Sequence, residues 1–352
     1  MRPLLSLRQA AKPSYFGGKQ ALTSWIGACL AEAAPQKNWP GLTFIDAFSG
    51  GGAMGIWAKS VGFGRLIIND ASMRAINIAR AFLANQNTQL SRQDLYFLNQ
   101  PLPPDVPRWI EAQYSPSVFS HRHAQKLDQW LYWASQIQDP VRGALYLMVI
   151  WHCINAFRCY PTSRGTSNGP YAEALDGLRR WDSINPKRFR DGSVERLLKP
   201  TLDVLERKLN LVNQGVFSGS PVEIHHGDAI EILPKLNGDM VYLDPPYAGT
   251  QRYDEGFALV DELLFSENTF PATDFSSSVD ALHALLESVQ HIPTWILSYG
   301  NQQIDLDGLE AVVQKHAKNR KVKGYSKCYS HMRHLTERRN NQELLIIASM
   351  EN

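Results

Sequence analysis

Asp244, Pro245, Pro246 and Tyr247 set a carboxylate, two rigid prolines and an aromatic ring side by side. The apolar, β-branched and aromatic run Met240, Val241, Tyr242, Leu243 before them reads as a short buried strand, and the prolines forbid ladder hydrogen bonds and helix directly after it. Prolines fix their own φ and push the preceding residue to extended geometry, so Asp244 is presented at a strand's carboxyl end with little backbone freedom. That arrangement suits a planar amine as guest. The Asp244 carboxylate and the Pro245 carbonyl can each accept one N–H of an exocyclic NH2, and Tyr247 offers a flat face for a nucleobase ring. A proline-terminated strand with a buried tyrosine is the plainer reading of the same residues.

A second chemical pattern lies nearer the amino terminus. Gly50, Gly52 and Gly55 match G-x-G-x-x-G directly after a strand-like run at 42–46, and "RLIIND" supplies a second strand ending in Asp70, 20 positions after Gly50. Such glycines let the backbone approach a ligand, and a carboxylate at the end of the second strand can accept both hydroxyls of a ribose. Strand, glycine turn, helix, strand and acid together point to an adenosine-type cofactor. They do not separate NAD from S-adenosylmethionine.

The elements that must position these groups alternate at both ends of the chain. Pro13 to Gly18 is turn-rich, and an amphipathic helix begins at Lys19, with Leu22, Trp25, Ile26, Cys29 and Leu30 on one apolar face. Helices are expected from about Ala53, from Ser72 to about Asn85, from Ala229 to Leu236 and around Val279 to Gln290. Strands are expected near residues 43, 66, 223, 241, 296, 322 and 345, seven in all, with a helical and loop-like insertion after the second. The expected fold is therefore α/β: a Rossmann-like, mainly parallel sheet formed by residues 1–86 and 215–352, with a mostly helical domain at 87–214.

Composition bounds the reading. The 352 residues are 44% hydrophobic, enough for a sizeable core, and no apolar run approaches the roughly 20 residues of a membrane span. The start is too short in apolar residues for a secretory signal, so a cytoplasmic protein is expected. Cys29, Cys153, Cys159 and Cys328 form no C-x-x-C pair, which fits reduced thiols, and no metal is expected, a zinc site from His152, Cys153 and Cys159 being the one conceivable set. The net charge of +2 hides a polarity: nine Lys and Arg between Lys315 and Arg339 stand against Glu337 alone, and a second basic stretch runs from Arg179 to Lys199. Segregated charge of this kind is a footprint for a polyanion, or else a solvated basic face. From Tyr253 to Glu287 there are eight acids and no Lys or Arg, so that segment is expected to lie away from phosphates.

In order, "SYFGGKQAL", "FIDAFSGGGAMG", "IIND", "HHGDA", "VYLDPPYAGTQRY", "ILSYGN" and "NNQELLIIAS" resemble the Dam-type DNA adenine-N6 methyltransferases, over both ends of the chain and more loosely its middle. The resemblance implies that S-adenosylmethionine is the cofactor, its methionine portion contacted by Tyr15, Gly17, Gly18 and Lys19 and its turn lined by Asp46, Phe48, Gly50 and Gly52. It also implies Asp70 on the ribose, Asp228 on the cofactor's adenine amine, and an antiparallel last strand. The family usually has Pro where Ala47 stands and Phe where Ala229 stands. In outline, "INAFRCYPTSRGTSNGPYAE" is similar to the family's DNA-contacting loop, which implies that Asn155, Arg158, Arg164, Asn168 and Tyr171 meet double-stranded DNA.

The chemistry agrees with the resemblance. An adenine N6 lone pair is delocalised into the ring, so acceptors that hold both N–H bonds localise it for a direct in-line transfer that needs neither a covalent cysteine nor a metal. An amine inside a duplex must be flipped out to reach the site. Three rivals stay open: the same chemistry on RNA adenine, cytosine N4 or a protein glutamine; a NAD-dependent oxidoreductase; and a non-catalytic DNA-binding protein on the same fold.

Overall fold

The structure is a computed structural model, and it describes residues 2–13, 15, 18–115, 118–157, 202–248, 253–265, 273–275, 277–328 and 341–350. Helix α1 (Arg2–Ala10) and helix α2 (Thr23–Ala33) precede strand β1 (Thr43–Asp46), helix α3 (Ala53–Val61) and strand β2 (Arg65–Asp70). Lys19 thus lies in the turn before α2 rather than inside the helix, because the helical hydrogen bonds begin only with Leu22 and Thr23 donating to its carbonyl.

Helix α4 (Met73–Ile78) passes without a break into a π-helical turn, Ala79–Ala84. Its end is closed by Lys59 of α3, whose Nζ donates to the carbonyls of Phe82, Leu83 and Asn85 at 3.2, 2.7 and 2.7 Å. These are the acceptors a helix end otherwise leaves unpaired. Burial pushes the Lys59 pKa down to about 7. Lys59→Met keeps the stem but strands those carbonyls, so it is expected to lower the unfolding free energy by about 2–4 kcal/mol in urea titrations.

The described part of the insertion holds helices α5 (Arg92–Leu98), α6 (Trp109–Tyr114), α7 (His121–Ser135), α8 (Pro140–Phe157) and α9 (Leu202–Asn213). Helix α8 is apolar nearly all round and accordingly buried, with Leu145, Met148, Val149, Ile150, Trp151 and Ile154 essentially inaccessible. It is tied to the amino-terminal part by Asn77 Nδ2 donating to the Ala144 carbonyl at 3.2 Å, and by His152 bonded to the Ala11 carbonyl at 2.8 Å. No described helix is long and apolar enough to cross a membrane.

Strand β3 (Val222–His226), helix α10 (Ala229–Ile232), strand β4 (Met240–Leu243), helix α11 (Tyr253–Phe265), helix α12 (Ala281–Ser288), strand β5 (Thr294–Gly300), helix α13 (Leu306–Ala317), strand β6 (Arg320–Cys328) and strand β7 (Gln342–Met350) complete the chain. The seven strands form one sheet in the order β3-β2-β1-β4-β5-β7-β6, parallel except that β7 runs antiparallel between β5 and β6. Alternate residues serve two cores. Phe44, Leu66, Ile68, Tyr242 and Ile347 face the layer that contains α8, while Ile45, Ile67, Val241, Leu243 and Ile346 face α10, α12 and α13. The order brings β1 and β4 together at the centre, with Asp46 opposite Tyr242, so their carboxyl ends open on one crevice.

Candidate active site

The glycine turn after β1 sits at this edge. Gly50 and Gly52 have φ of 47° and 69°, a region in which other residues are strained, and a Cβ on Gly51 would lie 2.8 Å from the Cβ of Tyr15. Asp70, at the end of β2, pins the turn: its Oδ2 accepts from Gly50 N at 2.7 Å and its Oδ1 from Ser72 N at 2.8 Å. Burial nonetheless raises its pKa. Each oxygen retains a second lone pair, so the ribose contact implied by the sequence is compatible with this anchoring role. Asn69, which the motifs did not single out, braces the edge by donating from Nδ2 to the carbonyls of Ala47 and Gly227, both at 3.2 Å.

Two ionisable groups, Asp46 and Lys12, flank the turn. Asp46 is 1% exposed; its Oδ2 accepts from Gly55 N at 3.1 Å, but its Oδ1 is buried with no hydrogen bond. Burial pushes its pKa up to about 8, helped by the charges of Asp244 and Asp70. Lys12 is 7% exposed, its Nζ 3.2 Å from where a Cβ on Gly51 would stand, and it makes no hydrogen bond or ion pair to a described residue. Its pKa falls to about 8 through burial. A lysine and a carboxyl group beside one glycine turn are of the kinds that pair with the carboxylate and the ammonium of an amino acid.

Asp228 caps α10, its Oδ1 accepting from Ile230 N at 2.8 Å, while its Oδ2 accepts from Thr273 N and Oγ1 at 2.5 and 2.8 Å. The second contact holds residues 273–275 over the edge and sets Phe275 against Phe48, edge to face, with centroids 5.3 Å apart. An aromatic ring is therefore present near the cofactor turn although α10 offers only Ala229. Tyr15 packs over Gly50 and Gly51 and against Phe257 at 4.7 Å, and the guanidinium of buried Arg74, paired with Asp261, lies 4.4 Å over the Phe257 ring.

Asp244 follows β4 and meets groups from three distant parts of the chain. Lys19 Nζ lies 2.8 Å from Asp244 Oδ1 and 3.4 Å from Glu343 Oε1, and 4.8 Å over the Tyr247 ring. The Tyr247 hydroxyl sits 2.6 Å from Glu343 Oε1 and 3.2 Å from Asp244 Oδ1, and Ser298 Oγ donates to Glu343 at 2.5 Å. Lys19 and Glu343 are 3% and 1% exposed, whereas Asp244 keeps 15% of its side chain accessible. Of the two carboxylates that share the ammonium, Asp244 is the one that opens on the crevice. Burial raises the Asp244 pKa to about 6; Lys19 pulls it down and Glu343 pushes it up. The Tyr247 ring is 5% exposed and tilted against Tyr299 at 4.9 Å, and the Tyr299 hydroxyl accepts from Ala248 N at 2.8 Å, fixing the loop after the prolines.

The structure thus brings Tyr15, Gly18, Lys19, Asp46, Phe48, Gly50, Gly52, Asp70, Asp228, Asp244, Pro245, Pro246 and Tyr247 to one edge of the sheet, with Lys19 on the Asp244 side. Gly17 lies outside the described residues, as do Arg158, Arg164, Asn168, Tyr171, Cys159 and the basic stretch from Arg179 to Lys199; Asn155 is half-buried on α8. Of the basic stretch from Lys315 to Arg339, Arg333, Arg338 and Arg339 lie outside the described residues, and the rest is less uniform than its composition implies. Arg320 is 4% exposed, donates to the carbonyls of Gln290, Ile292, Pro293 and Ala317, and stacks over Trp295 at 4.0 Å, so it is structural. Lys323 is exposed but paired with Glu32 at 2.5 Å, while Lys315, Lys318, Lys321 and Lys327 are exposed. Among the described residues no group of three or more His, Cys, Asp or Glu could hold a metal ion.

A mainly parallel sheet with a glycine turn and an Asp-Pro-Pro-Tyr loop side by side at its carboxyl edge has the layout of a Rossmann-like methyltransferase. The model of the D12 class N6 adenine-specific DNA methyltransferases matches residues 15–191, half of the chain, and the chain belongs to that family. It is an adenine-specific DNA methyltransferase. It is also similar to the Type II methyltransferase M2.HphI of Haemophilus parahaemolyticus, with 26% identity over 298 residues that cover 82% of this chain and 83% of the relative.

Proposed function

We propose that the methyl donor is S-adenosylmethionine, that the acceptor is an adenine flipped out of a specific duplex sequence, and that Asp244 to Tyr247 are the residues that hold it. The observation that carries this reading is the pairing of β1 with β4, which sets the glycine turn and Asp46 beside Asp244, near enough for the Asp244 charge to raise the Asp46 pKa. When bound, the donor supplies an electrophilic sulfonium methyl, and sulfur keeps the electron pair as the methyl leaves. Asp46 would hold its ammonium, Lys12 its carboxylate, Asp70 its ribose, and Phe48 with Phe275 would flank its adenine.

On the acceptor side, Asp244 accepts one N–H of the target amine and the Pro245 carbonyl the other, which turns the N6 lone pair towards the donor. As the N–C bond forms, N6 becomes cationic and gives one proton to the Asp244 carboxylate, which passes it to water. Residues 87–214 would carry sequence recognition through Asn155, Arg158, Arg164, Asn168 and Tyr171. The similarity to a Type II methyltransferase supports a role as the protective partner of a restriction enzyme, in the cytoplasm.

Calorimetry tests the donor site. S-adenosylmethionine and S-adenosylhomocysteine are expected to bind and NAD is not, with affinity lost or greatly weakened in Asp70→Ala and reduced at least about tenfold in Lys12→Met, the loss of one charge-assisted contact. An ammonium placed against Asp46 lowers its raised pKa, so binding at pH 7 is expected to release a proton, seen as a dependence of the heat on the buffer's ionisation enthalpy. Equal affinity for NAD, or binding indifferent to Lys12, would count against the assignment.

A further inference from the structure

Glu343 is a polar residue at the start of an otherwise apolar strand, buried to 1% exposure, and no motif of the sequence assigns it a role. Its Oε1 receives the Tyr247 hydroxyl at 2.6 Å and the Ser298 hydroxyl at 2.5 Å, with Lys19 Nζ at 3.4 Å. A phenol has one proton to give, and the distances assign it to Glu343 rather than to Asp244 at 3.2 Å. Lys19, by contrast, is nearer Asp244, at 2.8 Å. The arrangement bears on the reaction: Lys19 and the Tyr247 hydroxyl both meet Asp244 at Oδ1, which leaves Oδ2 for an incoming N–H, and an ammonium held at Oδ1 weakens the whole carboxylate as an acceptor.

We propose that Glu343 is a positioning residue: as the target amine docks, Lys19 shifts from Asp244 towards Glu343, and Glu343 keeps the Tyr247 hydroxyl, so that the Asp244 carboxylate becomes a stronger acceptor for the amine. The proposal rests on the reading of Asp244 as the acceptor of the target N–H. Two buried carboxylates sharing one ammonium make this exchange short, since Lys19 already lies between them and stays paired throughout.

The consequence is visible in pH as well as rate. The groups that face Asp244 among the described residues are Lys19 before α2, Asp46 on β1, Tyr242 on β4, Tyr247 on the loop, and Glu343 on β7. Asp244 works as the carboxylate, so the acid limb of the rate profile follows its pKa, which Glu343 raises and Lys19 lowers. Removing the Glu343 charge therefore moves the acid limb to lower pH.

The experiment is single-turnover methylation of duplex DNA across pH by Glu343→Gln, Glu343→Asp and Asp244→Asn, each with its unfolding curve and donor affinity measured alongside. Glu343→Gln is expected to fold, to bind donor as the wild type does, to transfer methyl roughly tenfold to a hundredfold more slowly, and to show its acid limb at lower pH, with Glu343→Asp restoring the limb towards the wild type. An unchanged rate and limb, or a rate loss that only follows a loss of folded protein with the limb unmoved, would overturn the proposal. If Glu343→Gln does not fold, Ser298→Ala takes its place: Glu343 then keeps its charge with one donor fewer and draws harder on Lys19, which shifts the limb to higher pH, and an unmoved limb overturns the proposal. Full activity in Asp244→Asn would overturn the underlying reading of Asp244 instead, whereas an inactive Asp244→Asn beside an unaffected Glu343→Gln would overturn the role of Glu343 alone.

Discussion

Replacing Asp244 by Ala is expected to slow methyl transfer by several orders of magnitude, about a thousandfold or more, while leaving the fold and donor binding in place. The size follows from what the carboxylate does. In the proposed reaction it accepts a bond that strengthens as N6 becomes cationic, and it takes the proton that N6 must lose, so the loss falls on the chemical step. The fold is spared because Lys19, 2.8 Å from Asp244, is also 3.4 Å from Glu343 and keeps a counter-charge when Asp244 is gone. Rapid-quench single turnovers give the rate, and calorimetry with urea unfolding checks that binding and folding are retained.

Replacing Lys19 by Met is expected to act on both stability and activity, and more severely. Lys19 is 3% exposed and, among the described residues, is the cation that pairs with Asp244 and Glu343. Its loss takes the ammonium from two buried carboxylates, although Glu343 keeps the Tyr247 and Ser298 hydroxyls, which costs about 3–5 kcal/mol for a broken buried pair. The sign with pH is set by the shift: without the ammonium the Asp244 pKa rises further above its unfolded value, and a raised carboxyl pKa makes the folded state lose stability as pH increases through it. The deficit of Lys19→Met against the wild type is therefore expected to shrink as pH falls towards about 5 and the carboxyls take up protons, and to grow towards neutrality. Urea midpoints for both proteins across that range measure it directly. A deficit independent of pH would mean that Lys19 contributes packing rather than charge.

These effects show what was and was not legible in the sequence. Strand after strand fell where apolar runs and turn residues placed it, because a parallel sheet buried on both faces writes itself as short apolar stretches, and the glycine turn was legible because φ at Gly50 and Gly52 is accessible to few other residues. The partners of Asp244 were not legible from the residue pattern. Lys19 and Glu343 stand at opposite ends of the chain, and only the sheet order, with β7 inserted beside β5, brings Glu343 next to Ser298 and the loop after β4. Charge counts misled in one place: Arg320 looks like its basic neighbours in sequence but is buried against Trp295 and spent on backbone carbonyls. Tyr247 shows the same limit: the sequence suggests an open stacking face, whereas the ring is 5% exposed against Tyr299 with Lys19 over it, and the tie of its hydroxyl to Glu343 was not readable. That tie implies a larger effect of Tyr247→Phe than a stacking role alone would give, because it takes a donor from a buried carboxylate.

In the proposed reaction the carboxylate of Asp244 holds the adenine amine that receives the methyl group. The direct measurement is transfer of a labelled methyl from S-adenosylmethionine to duplex DNA in a single turnover, by the wild type and by Asp244→Asn, with the product base identified by mass spectrometry. The expected result is N6-methyladenine as the labelled base from the wild type and almost no label transferred by Asp244→Asn, although that variant still binds both donor and DNA. Label in 4-methylcytosine, or undiminished transfer by Asp244→Asn, would contradict it.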